Sequence, residues 1–230
     1  MRAVLFDLDG TLLDIDTSEF VGRYFAALRG TMSEVAGEAA DSAMTALVDA
    51  TAAMSEPHPG RTNKDVFAER FLASTGIDLD ESWPAFERFY RDEFPLLRAG
   101  ARARDGAAEA VKTARGLGLQ LAVATNPIFP RVAIDHRIAW TEIPGLNDVL
   151  VTSYEVMHAT KPQAAYYREV AEMLGVLPEE CLMVGDDAGL DMSAADAGMR
   201  TLFVGEGPAE ADWRGEMGDL TSLLPRLTGI

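Results

Sequence analysis

Three observations predict an α/β fold, a doubly wound parallel sheet carrying a helical insertion. Short apolar runs of buried-strand length recur: AVLFDL (3–8), LQLAVAT (119–125), DVLVTS (148–153), CLMVGD (181–186) and TLFVG (201–205). Between the later runs lie helical patterns that end at glycine, such as AAEAVKTARGLG (107–118) and QAAYYREVAEMLGV (163–176). Residues 16–98 break that alternation and carry apolar residues at helical spacing only. Strands alternating with helices of this length imply right-handed crossovers and parallel pairing.

The first run is continuous, apolar and short, as a strand buried on both faces must be. It ends in Asp7-Leu8-Asp9-Gly10-Thr11. Phe20, Tyr24, Ala27 and Leu28 then recur on one helix face. EVAGEAADSAMTALVDATAAM, KDVFAERFLASTG and PAFERFYRDEF continue the helical pattern, with a Pro/Gly break at EPHPGRTN (56–63). The parallel unit resumes at ARARDGAAEA. The expected organisation is a five-stranded core from residues 1–15 and 99–230, with a helical cap at 16–98.

The 230 residues are 48% hydrophobic and 25% charged, a globular composition. A net charge of −17 argues against nucleic acid or an anionic membrane as partner. An anionic ligand must therefore be drawn in by local cations, which makes Lys64, Lys112 and Lys161 worth locating. Cys181 stands alone, so no intramolecular disulfide forms. With no signal-peptide pattern and no membrane-length apolar run, the expectation is a soluble cytoplasmic protein.

Ligands of open parallel sheets bind outside the carboxyl ends of the strands. The polar residues expected there are Asp7, Asp9 and Thr11, then Thr125 and Asn126, then Lys161, then Asp186, Asp187 and Asp191. Each cluster alone has a structural reading: a turn and helix cap for DLDGT, a cap for Thr125, a surface lysine, a solvated acidic helix start. Their convergence on one edge in a fixed order outweighs these readings.

This order resembles the four motifs of the haloacid dehalogenase superfamily: DxDxT, a Thr or Ser, a Lys, and an acidic pair after glycine. The likeness spans the chain, including a helical cap of the C1 kind inserted after the first motif. It implies a Rossmann-like core and a Mg²⁺-dependent phosphatase working through an aspartyl-phosphate on a small phosphorylated metabolite. By this resemblance Asp7 is the nucleophile and Asp9 the acid and base. Thr125, Asn126 and Lys161 bind the phosphoryl group, and Asp7, Asp9 (through its backbone carbonyl) and Asp186 hold the metal. Thr11, Asp187 and Asp191 support them, with the choice between Asp186 and Asp187 as direct ligand left open by the double Asp.

Alternatives on the same scaffold are a phosphosugar mutase or a phosphonate cleaver, the latter requiring Lys64 as a Schiff-base amine. A dehalogenase is disfavoured because halide loss needs neither an acid at Asp9 nor a metal ligand at Asp186. A catalytically silent binding module would be expected to lack Asp7, Asp9 or Lys161, and all three are present. His58, Arg61 and Lys64, at the break in the helical segment, are the candidate specificity residues. Arg131 is placed in solvent, and His136 and His158 are structural. A monomer or homodimer is expected.

Overall fold

The apolar runs assemble into one parallel sheet in the computed structural model, which describes residues 1–229. The strands are β1 (Ala3–Phe6), β2 (Leu13–Asp14), β3 (Arg102–Ala103), β4 (Gln120–Val123), β5 (Leu150–Val151), β6 (Cys181–Gly185), β7 (Arg200–Phe203) and β8 (Trp213–Arg214). The main sheet runs β5-β4-β1-β6-β7-β8, and every pairing in it is parallel. Ala3 aligns with both Gln120 and Cys181, and Phe6 with both Val123 and Val184.

Side chains alternate across this sheet with the period of two that strands impose. Val4 and Phe6 enter one apolar cluster with helices α1 (Thr17–Ala36), α5 (Ala107–Gly116), α6 (Arg131–Thr141) and α8 (Leu220–Thr228). Ala3 and Leu5 enter the opposite cluster, against Tyr166, Tyr167 and Val170 of α7 (Ala164–Leu174). All four β1 residues are fully buried, and each large apolar side chain so buried contributes about 1.5–3 kcal/mol.

The sheet has six strands where the sequence predicts five. The additional strand, β8, comes from the acidic stretch EADWRGE and has no apolar run to announce it. It forms by pairing at the sheet edge, Leu202 with Trp213 and Phe203 with Arg214. The Arg214 guanidinium lies over the Phe203 ring at 5.1 Å.

Between β2 and β3 all the regular structure is helical: α1, α2 (Ala40–Ala53), α3 (Asn63–Thr75), α4 (Leu79–Arg88), then π- and 3₁₀-helical turns to Arg98. Asp16 caps α1 through the Glu19 amide, and Thr62 and Asp65 form a capping box on α3. β2 and β3 pair antiparallel at the two chain crossings, with Arg102 bound to Asp14 at 2.9 Å. No helix among the described residues is long and apolar enough to cross a membrane.

At the start of α5, Gly106 has φ +82, and a Cβ there would lie 2.5 Å from the Gly218 amide nitrogen. That backbone contact joins α5 to the turn before α8. Gly106→Ala should therefore destabilise the fold by about 1–3 kcal/mol, read from urea unfolding. A change below about 0.5 kcal/mol would show that the turn yields freely.

Candidate active site

Asp7 follows β1 directly, and its amide still donates to the Val184 carbonyl at 2.9 Å, prolonging the strand pairing with β6. The chain then turns sharply at Gly10, which has φ +82. A Cβ there would fall 2.1 Å from Asp186 Oδ2, so this loop lies against Asp186 only because residue 10 is glycine. Thr11, fully buried, donates to Asp186 Oδ1 at 3.0 Å.

Lys161 comes from the loop between β5 and α7. Its ammonium is buried and donates to Asp7 Oδ1 at 2.7 Å and to Asp191 Oδ1 at 2.5 Å. Burial drags its pKa down, but the carboxylates of Asp191 and Asp7 outweigh it and leave the lysine well above its ordinary value. Burial likewise pushes Asp7 well above the usual carboxylate range, opposed by Lys161 and reinforced by Asp191 and Asp9. Burial also raises Asp186.

Asp7, Asp186 and Asp191 each offer a carboxylate oxygen within 4.8 Å of the others. Lys161 pairs with Asp7 and Asp191 and leaves Asp186 to the Thr11 hydroxyl, an excess of negative charge that a hard cation would offset. The donors are all oxygen, the set a magnesium-like ion prefers, so the residues present fit Mg²⁺. Asp191 joins this group by its side chain, whereas the Asp9 side chain turns away. Asp187 is exposed, and its Oδ1 accepts from the Gly189 and Leu190 amides at 2.8 Å each. It is a turn cap, and Asp186 is the member of the double Asp that faces Asp7.

A cavity of about 320 Å³ covers this edge, lined by Asp7, Asp9, Thr125, Asn126, Arg137, Lys161 and the three acidic residues after β6. Thr125 is buried; its carbonyl accepts from Thr152 Oγ1 at 2.8 Å and from the Tyr166 hydroxyl at 2.9 Å. Asn126 Oδ1 accepts from the Lys161 amide at 3.2 Å.

Arg137 is absent from the sequence reading. It lies on α6, 2% exposed, and its Nη1 donates to Asp9 Oδ2. Its guanidinium rests on the Phe129 ring at 4.7 Å, which accounts for a buried arginine in an apolar helix face. The signal was available: Arg137 shares the buried face of Ala133, Ile134, Ile138 and Thr141. Asp9 Oδ1 and Arg137 Nε and Nη2 are buried without a partner.

His58, Arg61 and Lys64 do not line this cavity. His58 is buried, with Nδ1 against the Glu56 carbonyl at 2.6 Å and Nε2 against Asn63 Oδ1 at 2.8 Å. Arg61 pairs with Glu69, and Lys64 with Asp80 at 3.0 Å, on the surface. The break does reach the strand edge, but through Asn63, whose Nδ2 donates to the Pro127 and Ala159 carbonyls at 3.0 and 3.2 Å. Of the residues set aside, Arg131 bonds Asp135 at 2.7 Å, His158 meets Glu169 at 2.6 Å, and His136 lies beside the Phe94 ring.

Because burial raises Asp186, the native state holds its proton more tightly than the unfolded chain does. Stability is therefore lost as pH rises from the ordinary carboxylate value through the raised one. In chelator-treated protein, Asp186→Asn should raise the melting temperature at pH 7–8, and the gain should vanish on acidification below about pH 4. A variant less stable than the parent at pH 7 would contradict the burial penalty.

Residues 1–198 match the family of haloacid dehalogenase-like hydrolases. A Mycobacterium tuberculosis protein named Phosphatase MT3486 is 31% identical over 175 residues, covering 74% of this chain and 77% of its own. A Chromobacterium violaceum phosphoglycolate phosphatase is 27% identical over 96% of this chain and 91% of its own. The crystal structure of a HAD phosphatase from Thermococcus onnurineus shares the fold, with TM-score 0.59 and 22% identity over 97% of this chain and 98% of that one. The six-stranded parallel sheet, the acidic strand edge and this sequence match agree, and the chain belongs to the haloacid dehalogenase-like hydrolases.

Proposed function

We propose that this hydrolase is a Mg²⁺-dependent phosphatase that cleaves a small phosphorylated metabolite through an aspartyl-phosphate. The observation that carries the reading is the Asp7–Lys161–Asp191 chain of buried charge beside Asp186. Such a cluster suits a phosphoryl group, which needs positive charge on its oxygens and an in-line nucleophile.

Lys161 holds Asp7 by Oδ1, leaving the other carboxylate oxygen to attack phosphorus. The bond from phosphorus to the leaving oxygen breaks as Asp9 supplies that oxygen with a proton. Asp9 then takes a proton from water, which attacks the aspartyl-phosphate and releases phosphate, restoring Asp7. Lys161, Thr125 and Asn126 hold the transferring oxygens. Asp7, Asp186 and the backbone carbonyl of Asp9 would hold Mg²⁺, which, when bound, supplies further charge neutralisation for the phosphoryl oxygens.

Arg137 acts as a positioning residue. It holds Asp9 by one carboxylate oxygen and leaves Oδ1 as the free acceptor. A buried acceptor without a partner costs about 1–3 kcal/mol, and the proton that Asp9 holds before passing it to the leaving oxygen relieves that cost. Residues 16–98 serve as a cap over the core of 1–15 and 99–230, and the protein works in the cytoplasm as a monomer or homodimer.

Asp7→Asn should abolish covalent labelling by substrate phosphate, and labelling retained at this site would overturn the covalent mechanism. Asp9→Asn should slow hydrolysis of alkyl phosphates by about 10²–10⁴, and p-nitrophenyl phosphate less in its first step. EDTA should abolish turnover, with Mg²⁺ restoring it; full activity after chelation would exclude the metal site as drawn.

A further inference from the structure

A second cavity, of about 200 Å³, lies between the helices of residues 17–98 and the loop after β4. Its wall is aromatic: Tyr24, Phe67, Phe71, Trp83, Tyr90 and Phe129. No charged side chain is among its lining residues. The Tyr24 and Tyr90 hydroxyls bond each other at 3.1 Å, and burial pushes Tyr24 up to about 12, keeping it neutral.

This chamber adjoins the carboxylate site, because Val21, Ile128 and Phe129 line both cavities. Phe129 carries the Arg137 guanidinium, and Arg137 holds Asp9. The chamber therefore lies on the Asp9 side, where the leaving oxygen would be protonated. The polar groups of the wall are few: Tyr24 and Tyr90 bond each other, Thr51 bonds the Leu47 carbonyl, and Tyr154 and Trp83 complete the set. A polyol or nucleotide placed there would leave most of its hydroxyls and ring nitrogens short of partners. An apolar group would instead exchange water for ring faces and edges.

We propose that this chamber receives the alcohol half of the substrate. The substrates are phosphomonoesters of apolar alcohols or phenols about the size of one aromatic ring. An apolar cavity of about 150 Å³ suffices to bind benzene, so the chamber holds one substituted ring or a short branched alkyl group. This assignment rests on the phosphatase reading above. In the reaction, the ester oxygen leaves phosphorus, takes the Asp9 proton and stays in the chamber as a neutral alcohol. Water supplies the oxygen of the released phosphate and returns a proton to Asp9.

The test compares benzyl phosphate with glycerol phosphate under Mg²⁺, and benzylphosphonate with methylphosphonate as non-hydrolysable inhibitors. Benzyl phosphate should show a kcat/KM at least about ten-fold higher, since even one well-packed methylene can discriminate to that degree. Benzylphosphonate should inhibit at a correspondingly lower concentration. Phe67 and Trp83 are half-buried on the chamber wall, so Phe67→Gln and Trp83→Gln should each lower the benzyl-to-glycerol ratio several-fold. The phosphonate comparison on unaltered protein decides the matter should either variant fail to fold. Equal or better use of glycerol phosphate, with equal phosphonate inhibition, would overturn the chamber assignment and leave the phosphatase reading standing. Hydrolysis of neither ester, nor of p-nitrophenyl phosphate, would overturn the phosphatase reading and this inference with it.

Discussion

The Lys161 ammonium lies in an interior where a lone charge would cost several kcal/mol, and its position is tolerable only between Asp7 and Asp191. Those partners come from different elements, one from the end of β1 and the other from the turn after β6. They meet because β1 and β6 are neighbours in register, with Phe6 beside Val184. Strand order serves this contact, and the tight turn at Gly10 and the buried Thr11 set Asp186 beside it. Losing either carboxylate would leave a buried charge under-compensated, so the electrostatics of the site and the integrity of the sheet edge are coupled.

The helical segment is joined to that edge by polar contacts at its break and by apolar contacts elsewhere. Asn63 spans from α3 to the carbonyls of Pro127 and Ala159, which belong to the loops presenting Asn126 and Lys161. His58 holds Asn63 in place by its Nε2. Aromatic rings close the other side: Phe20 meets Phe94 and Trp140 edge-on at 5.9 Å each, and Tyr24 meets Phe129 at 5.2 Å. Charge therefore stays on the strand edge while the wall above it is ring carbon.

The strands that carry Asp7, Thr125 and Asp186 were legible because each is an unbroken apolar run ending in a polar residue. β8 was not, since two edge residues in an acidic stretch take their conformation from β7 rather than from their own pattern. The double Asp reads as one acidic pair in sequence, and it is divided by a turn in which the Asp187 side chain closes on the Gly189 and Leu190 amides. Arg61 and Lys64 carry charge at the break and the start of α3, but nearby Glu69 and Asp80 bind them at the surface. Sequence gives a loop's composition, whereas which residue faces inward depends on the helix phase that follows, and at α3 that residue is Asn63. The aromatic chamber was equally hidden, because its rings come from four helical stretches and two loops that look like ordinary core filling in isolation.

Buried polar atoms are ordinarily satisfied in native proteins, and the exceptions here are concentrated. Among the described residues the buried side-chain atoms without partners are Asp9 Oδ1, Arg23 Nε, and Arg137 Nε and Nη2. All but Arg23 Nε belong to the single Asp9–Arg137 pair, where the carboxylate edge meets the aromatic chamber. Replacing that pair with apolar side chains would remove the cost and keep the core, as buried ion pairs elsewhere can be replaced without loss of stability. A pair retained with free donors and a free acceptor is costly as architecture. Such a pair is suited to meeting a group that takes up a proton on one side and has apolar bulk on the other. The same geometry explains why the guanidinium is stacked on Phe129 rather than enclosed by carboxylates: the ring fixes its plane and leaves its remaining N–H groups uncommitted. Arg137 is thus the joint between the carboxylate edge and the aromatic wall.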